Sequence, residues 1–384
     1  METPRTLIVD LAVGYGGSSS RVLGLLRGLS KQGVALAGLD HGAVVLAAQN
    51  EGLPVYTLGA NKADPRILPR LVHVIRSNGF EVLDTQNIQS KFWASLAAGL
   101  TRTSLISTIN SWYASEHGQS AVKSRIKGQF YTGLELLTNW NLDLYITVSE
   151  KDRQALLRSK IPEETIELIY NAVDLDITKI SGDSDWLRKK FNLPSESLIC
   201  VAVGRLVPVK GYDILIDAMK EITAQVPQLM CLIVGEGECK DALTQQIQES
   251  GLENQVRLTG YQDRETVLSI LKSSDIFVMP SRYEGTPIAL LEAAALGLPI
   301  IASASGGIPE LVTDHEHALL VQPNDPTALA KSILSLCTDR SYGQTLGIKA
   351  KQRIQTIFNM DTQIQRTFLA YQKAFKKHNE TKGK

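Results

Sequence analysis

Short apolar runs alternate with amphipathic stretches along the first half of the chain: Leu7 to Ala12, Arg21 to Ser30, Val34 to Leu39, Ile67 to Ser77, and Val82 to Asp84. Runs of four to six apolar residues suit buried strands, and the longer stretches repeat at helical spacing, so the rhythm predicts strand, crossover helix, strand. Further strands are expected at Leu105 to Thr108 and Leu144 to Val148, giving a parallel sheet with right-handed crossovers. The pattern restarts at Leu198 to Val203, followed by an amphipathic helix from Gly211 to Gln225 and strands at Met230 to Val234, Val256 to Leu258, Asp275 to Met279 and Pro299 to Ser303. The fold class is therefore α/β, with two Rossmann-like doubly wound domains expected to face each other across a cleft. Asp176 to Glu196 mixes charges with Gly182, Ser184 and Pro194 and lacks a sustained apolar face, so the linker is placed there. The expected division is residues 1–175 for the first domain and 176–360 for the second. Residues 361–384 form a terminal helix, with Ile364, Phe368, Leu369 and Phe375 at near-helical spacing, followed by a frayed charged tail.

A chain of 384 residues exceeds what one core usually organises, which agrees with two domains. Forty basic residues cancel forty acidic ones, which argues against a protein that grips a nucleic-acid backbone. Cys200, Cys231, Cys239 and Cys337 have no paired metal-ligand spacing and are too sparse for a disulfide scaffold, so reduced thiols in a cytoplasmic protein are expected. Thr6 to Asp10 reads as a strand rather than a leader peptide, and the longest apolar stretch, Phe92 to Leu100, is too short to cross a bilayer.

Candidate chemistry lies where strands end. After Val203 comes Gly204-Arg205-Leu206-Val207-Pro208-Val209-Lys210-Gly211, in which a planar donor fork and a compact cation flank a turn, a pairing suited to two adjacent phosphates. Two loop cations alone are better read as solvated. After the strand ending at Met279, Pro280 and Ser281 lead into Glu284-Gly285-Thr286-Pro287-Ile288 and on to Glu292. Thr286 is expected to cap a helix and Pro287 to occupy its first position, pointing amides outward at a positive helix end where a phosphate fits. Glu284 in the loop and Glu292 in the helix suit different parts of one ligand, because carboxylates accept from vicinal hydroxyls of a ribose or a pyranose.

These motifs resemble the fourth glycosyltransferase family, the GT-B group that includes sucrose, mannose and glucose transferases. The resemblance rests on the basic pair Arg205 and Lys210, the two glutamates, and Val234-Gly235-Glu236-Gly237, in the family's order. It extends to Val148-Ser149-Glu150, Tyr170-Asn171-Ala172-Val173-Asp174, Ser305-Gly306-Gly307-Ile308-Pro309-Glu310, and the glycine-rich Gly14-Tyr15-Gly16-Gly17-Ser18 after the first strand, where glycine is expected as a steric requirement. That loop lacks the Gly-x-Gly-x-x-Gly spacing of a dinucleotide-binding enzyme. The resemblance implies a retaining transferase that needs no cofactor and takes a nucleoside diphosphate sugar as substrate, a UDP-sugar in preference to a GDP-sugar. It assigns donor binding to Gly16, Gly17, Gly204, Arg205, Lys210, Gly235, Gly237, Tyr261, Ser281, Glu284, Gly285, Thr286, Pro287, Ile288 and Glu292. It assigns catalytic work to Arg205, Lys210 and Glu284; Asn110, which stands where the family has a histidine, and His117, a few residues beyond, are the further catalytic candidates, His117 being equally readable as a solvated loop side chain.

The chain departs from the family in its first half. Gln86 and Asn110 stand where relatives often carry histidines; they hold hydroxyls but carry no proton near neutral pH. Asp314-His315-Glu316-His317 lacks enough ligands for a cation, and no metal is expected. The leaving diphosphate is instead stabilised by Arg205, Lys210 and the helix end. A non-hydrolysing nucleotide-sugar epimerase and a non-catalytic nucleotide-sugar sensor are the competing readings. Lys62 to Lys127 carries nine basic residues against four acidic ones, and Lys123, Arg125 and Lys127 alternate with apolar Val122 and Ile126 ahead of Phe130, Leu134 and Leu137. Such a face suits either a solvated amphipathic helix or peripheral contact with an anionic membrane and a lipid-linked acceptor; a glycan is the other acceptor expected.

Overall fold

The computed structural model of the protein describes residues 3–111, 131–180 and 182–382. His117 and the segment from Val122 to Phe130 lie outside the described residues. The chain divides into two compact units, Met1–Ala172 together with Met360–Lys384, and Val173–Asn359.

In the first unit the described strands are β1 (Thr6–Asp10), β2 (Val34–Gly38), β3 (Val55–Thr57), β4 (Val82–Thr85), β5 (Ser104–Ile109), β6 (Leu142–Thr147) and β7 (Ile166–Leu168). They form one parallel sheet in the order β3-β2-β1-β4-β5-β6-β7. Its central strands are buried along their whole length, which is why they read as unbroken apolar runs. Ile8, Leu36, Ile106 and Ile146 face a core shared with the helix Gly17–Leu29, whereas Leu7, Val9, Ala37 and Leu83 face a second core with the helix Ile67–Asn78.

The terminal helix departs from expectation. It runs Met360–Lys382, further than the sequence pattern indicates, and belongs to the first unit. Ala370, Tyr371 and Ala374 are buried in the core with Ile8 and Val22. A Cβ on Gly24 or Gly28 would lie 2.6 Å from Met360 Cε or 2.4 Å from Ile364 Cδ1, so the two helices touch through glycine. Tyr371 Oη donates to the buried Asp84 at 2.8 Å, and this fixes the helix to β4. The boundary falls between Ala172 and Val173, and the segment expected as linker contains the helix Ser184–Lys190, capped by the Asp183 carboxylate.

The second unit holds β8 (Leu198–Val203), β9 (Leu229–Val234), β10 (Val256–Gly260), β11 (Ile276–Met279), β12 (Ile300–Ser303) and β13 (Leu319–Val321) among its described residues. All pairs are parallel, in the order β10-β9-β8-β11-β12-β13. After β8 the chain moves outward to β9 and β10, then returns to place β11 on the other side of β8. The strand order therefore reverses between β8 and β11, and crevices at such a reversal open at the carboxyl ends of the strands.

Candidate functional site

The two loops that flank this reversal carry the residues singled out by sequence. Leaving β8, Gly204 and the exposed Arg205 begin a loop that ends in the short helical turn Pro208–Lys210. Leaving β11, Pro280 and the buried Ser281 lead to Glu284. Lys210 Nζ donates to Glu284 Oε1 at 2.7 Å, and Ser281 Oγ donates to the same oxygen at 2.6 Å. Both members of the ion pair are largely withdrawn from water, with side-chain exposures of 19% and 10%. Tyr212, buried at the start of the helix Tyr212–Ile222, has its phenol pushed well above its ordinary pKa by burial and by the Glu284 charge, so it stays protonated.

Glycine lets these loops approach. Gly235, which follows β9, has φ +144°, and a Cβ there would stand 2.0 Å from Gly204 O; one on Gly237 would stand 2.3 Å from Leu206 O. Gly306 has φ +58°, and its Cβ would stand 1.8 Å from Glu284 O, the carbonyl that accepts from Gly307 N at 2.9 Å. Backbone rather than side chain occupies each position, so no rotamer change relieves the clash.

The helix after Glu284 starts one residue later than expected. It spans Ile288–Leu296, and Pro287 is its N-cap residue, with ψ +116° that excludes it from the helix. Thr286 and Ile288 are buried before and at this start, and Gly285 is buried beside them. Glu292 is buried in the helix, and Arg264 Nη1 meets its Oε1 at 3.0 Å. Burial raises the Glu292 pKa while Arg264 opposes the rise, so the guanidinium favours the ionised form. Tyr261, just beyond β10, is 67% exposed.

Asn110 belongs to the first unit, where its Nδ2 donates to Gln86 O at 3.1 Å. Nearby in that sheet, Asp10 at the end of β1 accepts from Ala12 N at 2.9 Å and from Asn87 Nδ2 at 2.7 Å. Gly16 caps the helix Gly17–Leu29 in an extended conformation. Among the described residues nothing lies within 4 Å of a Cβ placed on Gly14 or Gly16, so their packing does not supply the steric requirement expected of this loop. Arg264 is not legible in the sequence, because its partner Glu292 lies on another helix, and no motif marks Tyr212 or Asp10.

Among the described residues, no cluster of three or more His, Cys, Asp or Glu side chains has the arrangement of a metal site, and no helix is long and apolar enough to cross a membrane. What the second unit does offer is the Lys210 ammonium paired with the Glu284 carboxylate at the strand-order reversal.

The family comparisons decide the class. The model for glycosyl transferases group 1 matches residues 183–353, and that for glycosyltransferase family 4 matches residues 15–177. The chain belongs to this glycosyltransferase family. Among family members, the amylovoran biosynthesis glycosyltransferase AmsK of Erwinia amylovora is 32% identical over 182 residues, 44% of this chain and 45% of that one. A GDP-mannose-dependent phosphatidylinositol monomannoside mannosyltransferase of Mycolicibacterium smegmatis is 29% identical over 230 residues, 57% of this chain and 59% of that one. The chain spans 62%, 40% and 45% of the first curated relatives it matches. The crystal structure of Anabaena HepE, in complex with UDP and glucose, superposes with a TM-score of 0.84 at 21% identity, covering 96% of this chain and 99% of that one. The GT-B fold expected from the resemblance is thus the fold of the protein.

Proposed function

We propose that the protein is a retaining, metal-independent glycosyltransferase that moves a sugar from a nucleoside diphosphate donor to a hydroxyl of a glycan or lipid-linked glycan in cell-surface polysaccharide synthesis. The observation that carries this reading is the Lys210–Glu284 pair at the strand-order reversal of the second unit, with Lys210 ending the loop that the exposed Arg205 begins. Arg205 and Lys210 neutralise the diphosphate as it leaves, the service a divalent ion supplies in other transferases. Glu284 orients the transferred sugar through its hydroxyls, a positioning role rather than nucleophilic attack. Glu292 accepts from the ribose. The acceptor hydroxyl attacks the face from which the diphosphate departs, and a phosphate oxygen takes its proton, so Asn110 serves in place of a titrating side chain.

UDP is the favoured nucleotide, supported by the UDP and glucose held by the HepE structure; GDP is the alternative, supported by the GDP-mannose-dependent relative. Glycine at positions 14, 16 and 17 is explained by close approach of the donor or acceptor to the backbone. A cytoplasmic protein in peripheral contact with an anionic membrane fits a lipid-linked acceptor, and Leu137, 73% exposed, is the described end of the amphipathic segment proposed for that contact. The test is product analysis: with EDTA present, incubation with UDP- or GDP-sugars and glycan or lipid-linked acceptors should yield a glycoside of retained anomeric configuration and free nucleoside diphosphate. An inverted product, an epimerised donor without acceptor, or activity restored only by magnesium would each contradict a part of the proposal.

A further inference from the structure

Arg282 lies between Ser281 and Glu284 in sequence, yet its side chain turns away from both and joins other loops at the carboxyl edge of the second sheet. Its Nη1 donates to Asp213 Oδ1 at 2.9 Å and to Pro208 O, its Nη2 donates to Asp213 Oδ2, and its Nε donates to Asn324 Oδ1 at 2.7 Å. The main chain is held as well: Arg282 N donates to Val209 O at 2.7 Å, and Arg282 O accepts from Ser305 Oγ at 2.6 Å. One residue thus ties the loop after β11 to those after β8, β12 and β13.

We propose that Arg282 is a positioning residue of the donor site, one that fixes the loop bearing Lys210 against the loop bearing Glu284 across the strand-order reversal. The proposal rests on the donor assignment made above and adds a residue to it. The planar guanidinium suits the task because it meets the Asp213 carboxylate with two parallel bonds and still reaches a carbonyl and an amide oxygen. A lysine has no such fork and cannot hold all three partners in one geometry. Pro208, Val209 and Lys210 share one helical turn, so a shift of the first two carries the Lys210 ammonium with it. Displacement of a catalytic contact by about 1 Å costs on the order of a hundredfold in rate.

Arg282→Lys and Arg282→Gln are the informative variants, with Asp213→Asn as the partner change. Amide hydrogen exchange of residues 204–211 in the unliganded protein reads the tie directly, and UDP and GDP titrations read its effect on binding. In all three variants the 204–211 amides should exchange faster while those of β8 and β11 stay protected. Affinity for whichever nucleotide the wild type binds should fall roughly 10- to 100-fold with little change in melting temperature. Failure of Arg282→Lys to restore binding, and no further loss on combining Arg282→Gln with Asp213→Asn, mark a shared geometric role. Unchanged exchange at 204–211, full rescue by lysine, or binding losses that track melting temperature would overturn the proposal. Wild-type protein that binds neither nucleotide, while exchange still responds to Arg282→Gln, would instead sink the donor assignment and leave the tie between the loops standing.

Discussion

Lys210 and Glu284 form an ion pair that already occupies part of the proposed donor site, and breaking it from either side should have different consequences. The pair is 2.7 Å long, mostly withdrawn from water, and Ser281 adds a second bond to the same carboxylate oxygen. A hydrogen bond to a charged group contributes about 1.5 to 3 kcal/mol, and residues in direct contact couple by about 0.5 to 3 kcal/mol. Both charges sit nearer the buried than the exposed limit, so a coupling of about 2 kcal/mol is expected, equivalent to roughly 30-fold. Chemical denaturation of Lys210→Met, Glu284→Gln and the double variant should show each single change destabilising, and the double change costing little more than either. Binding separates the partners further. Lys210→Met should weaken nucleoside diphosphate and nucleotide sugar alike. Glu284→Gln frees the lysine, so it should keep or improve affinity for the bare nucleoside diphosphate while lowering turnover of the sugar conjugate. Stability effects that add to within about 0.5 kcal/mol, or a Glu284→Gln protein that loses nucleotide as Lys210→Met does, would refute this coupling.

Glu292 carries a pH signature. Its carboxyl pKa is raised in the folded protein, mainly by burial, so folding holds its proton more tightly than the unfolded chain does. Its contribution to stability therefore diminishes as pH rises from the unfolded value of 4.5 through the raised one. Glu292→Gln should thus melt no lower than wild type at neutral pH, with any advantage vanishing in acid, yet bind nucleotide less well; a large drop in melting temperature at pH 7 would contradict this. Gly235→Ala, which puts a Cβ 2.0 Å from Gly204 O at a left-handed φ, should cost roughly 3 kcal/mol, whereas Gly14→Ala meets nothing among the described residues and should leave stability unchanged. Equal melting temperatures for the two glycine variants would contradict the packing described. The protein should co-sediment with anionic but not zwitterionic vesicles at low salt, and failure with both would remove the support for a lipid-linked acceptor.

Both sheets were legible because strands buried on both faces leave unbroken apolar runs, as Leu198 to Val203 does for β8. β3, β7 and β13 are not legible in the sequence because each has only three residues, too few to establish a period. The terminal helix was seen, but not its partner: sequence spacing shows an apolar stripe and says nothing of the glycines at 24 and 28 that receive it. At the candidate site, motif residues stood out because they cluster within a few positions of a strand end. Arg264 and Arg282 did not, since their partners are Glu292 and Asp213 on other helices, and only the folded chain brings them together. The cap at Pro287 was misplaced by one residue because composition favours a proline inside the first turn, while the actual backbone remains extended there.

The most direct test of the central claim is nucleotide-dependent thermal stability in the presence of EDTA, measured for wild type and for Arg205→Ala combined with Lys210→Met. A ligand that binds only the folded state stabilises it by about 2.7 kcal/mol at a hundred times its dissociation constant. UDP or GDP should raise the wild-type melting temperature without any metal and leave the double variant unmoved. An equal rise in both proteins, or a wild type that responds to neither nucleotide, would contradict a donor site built on this basic pair.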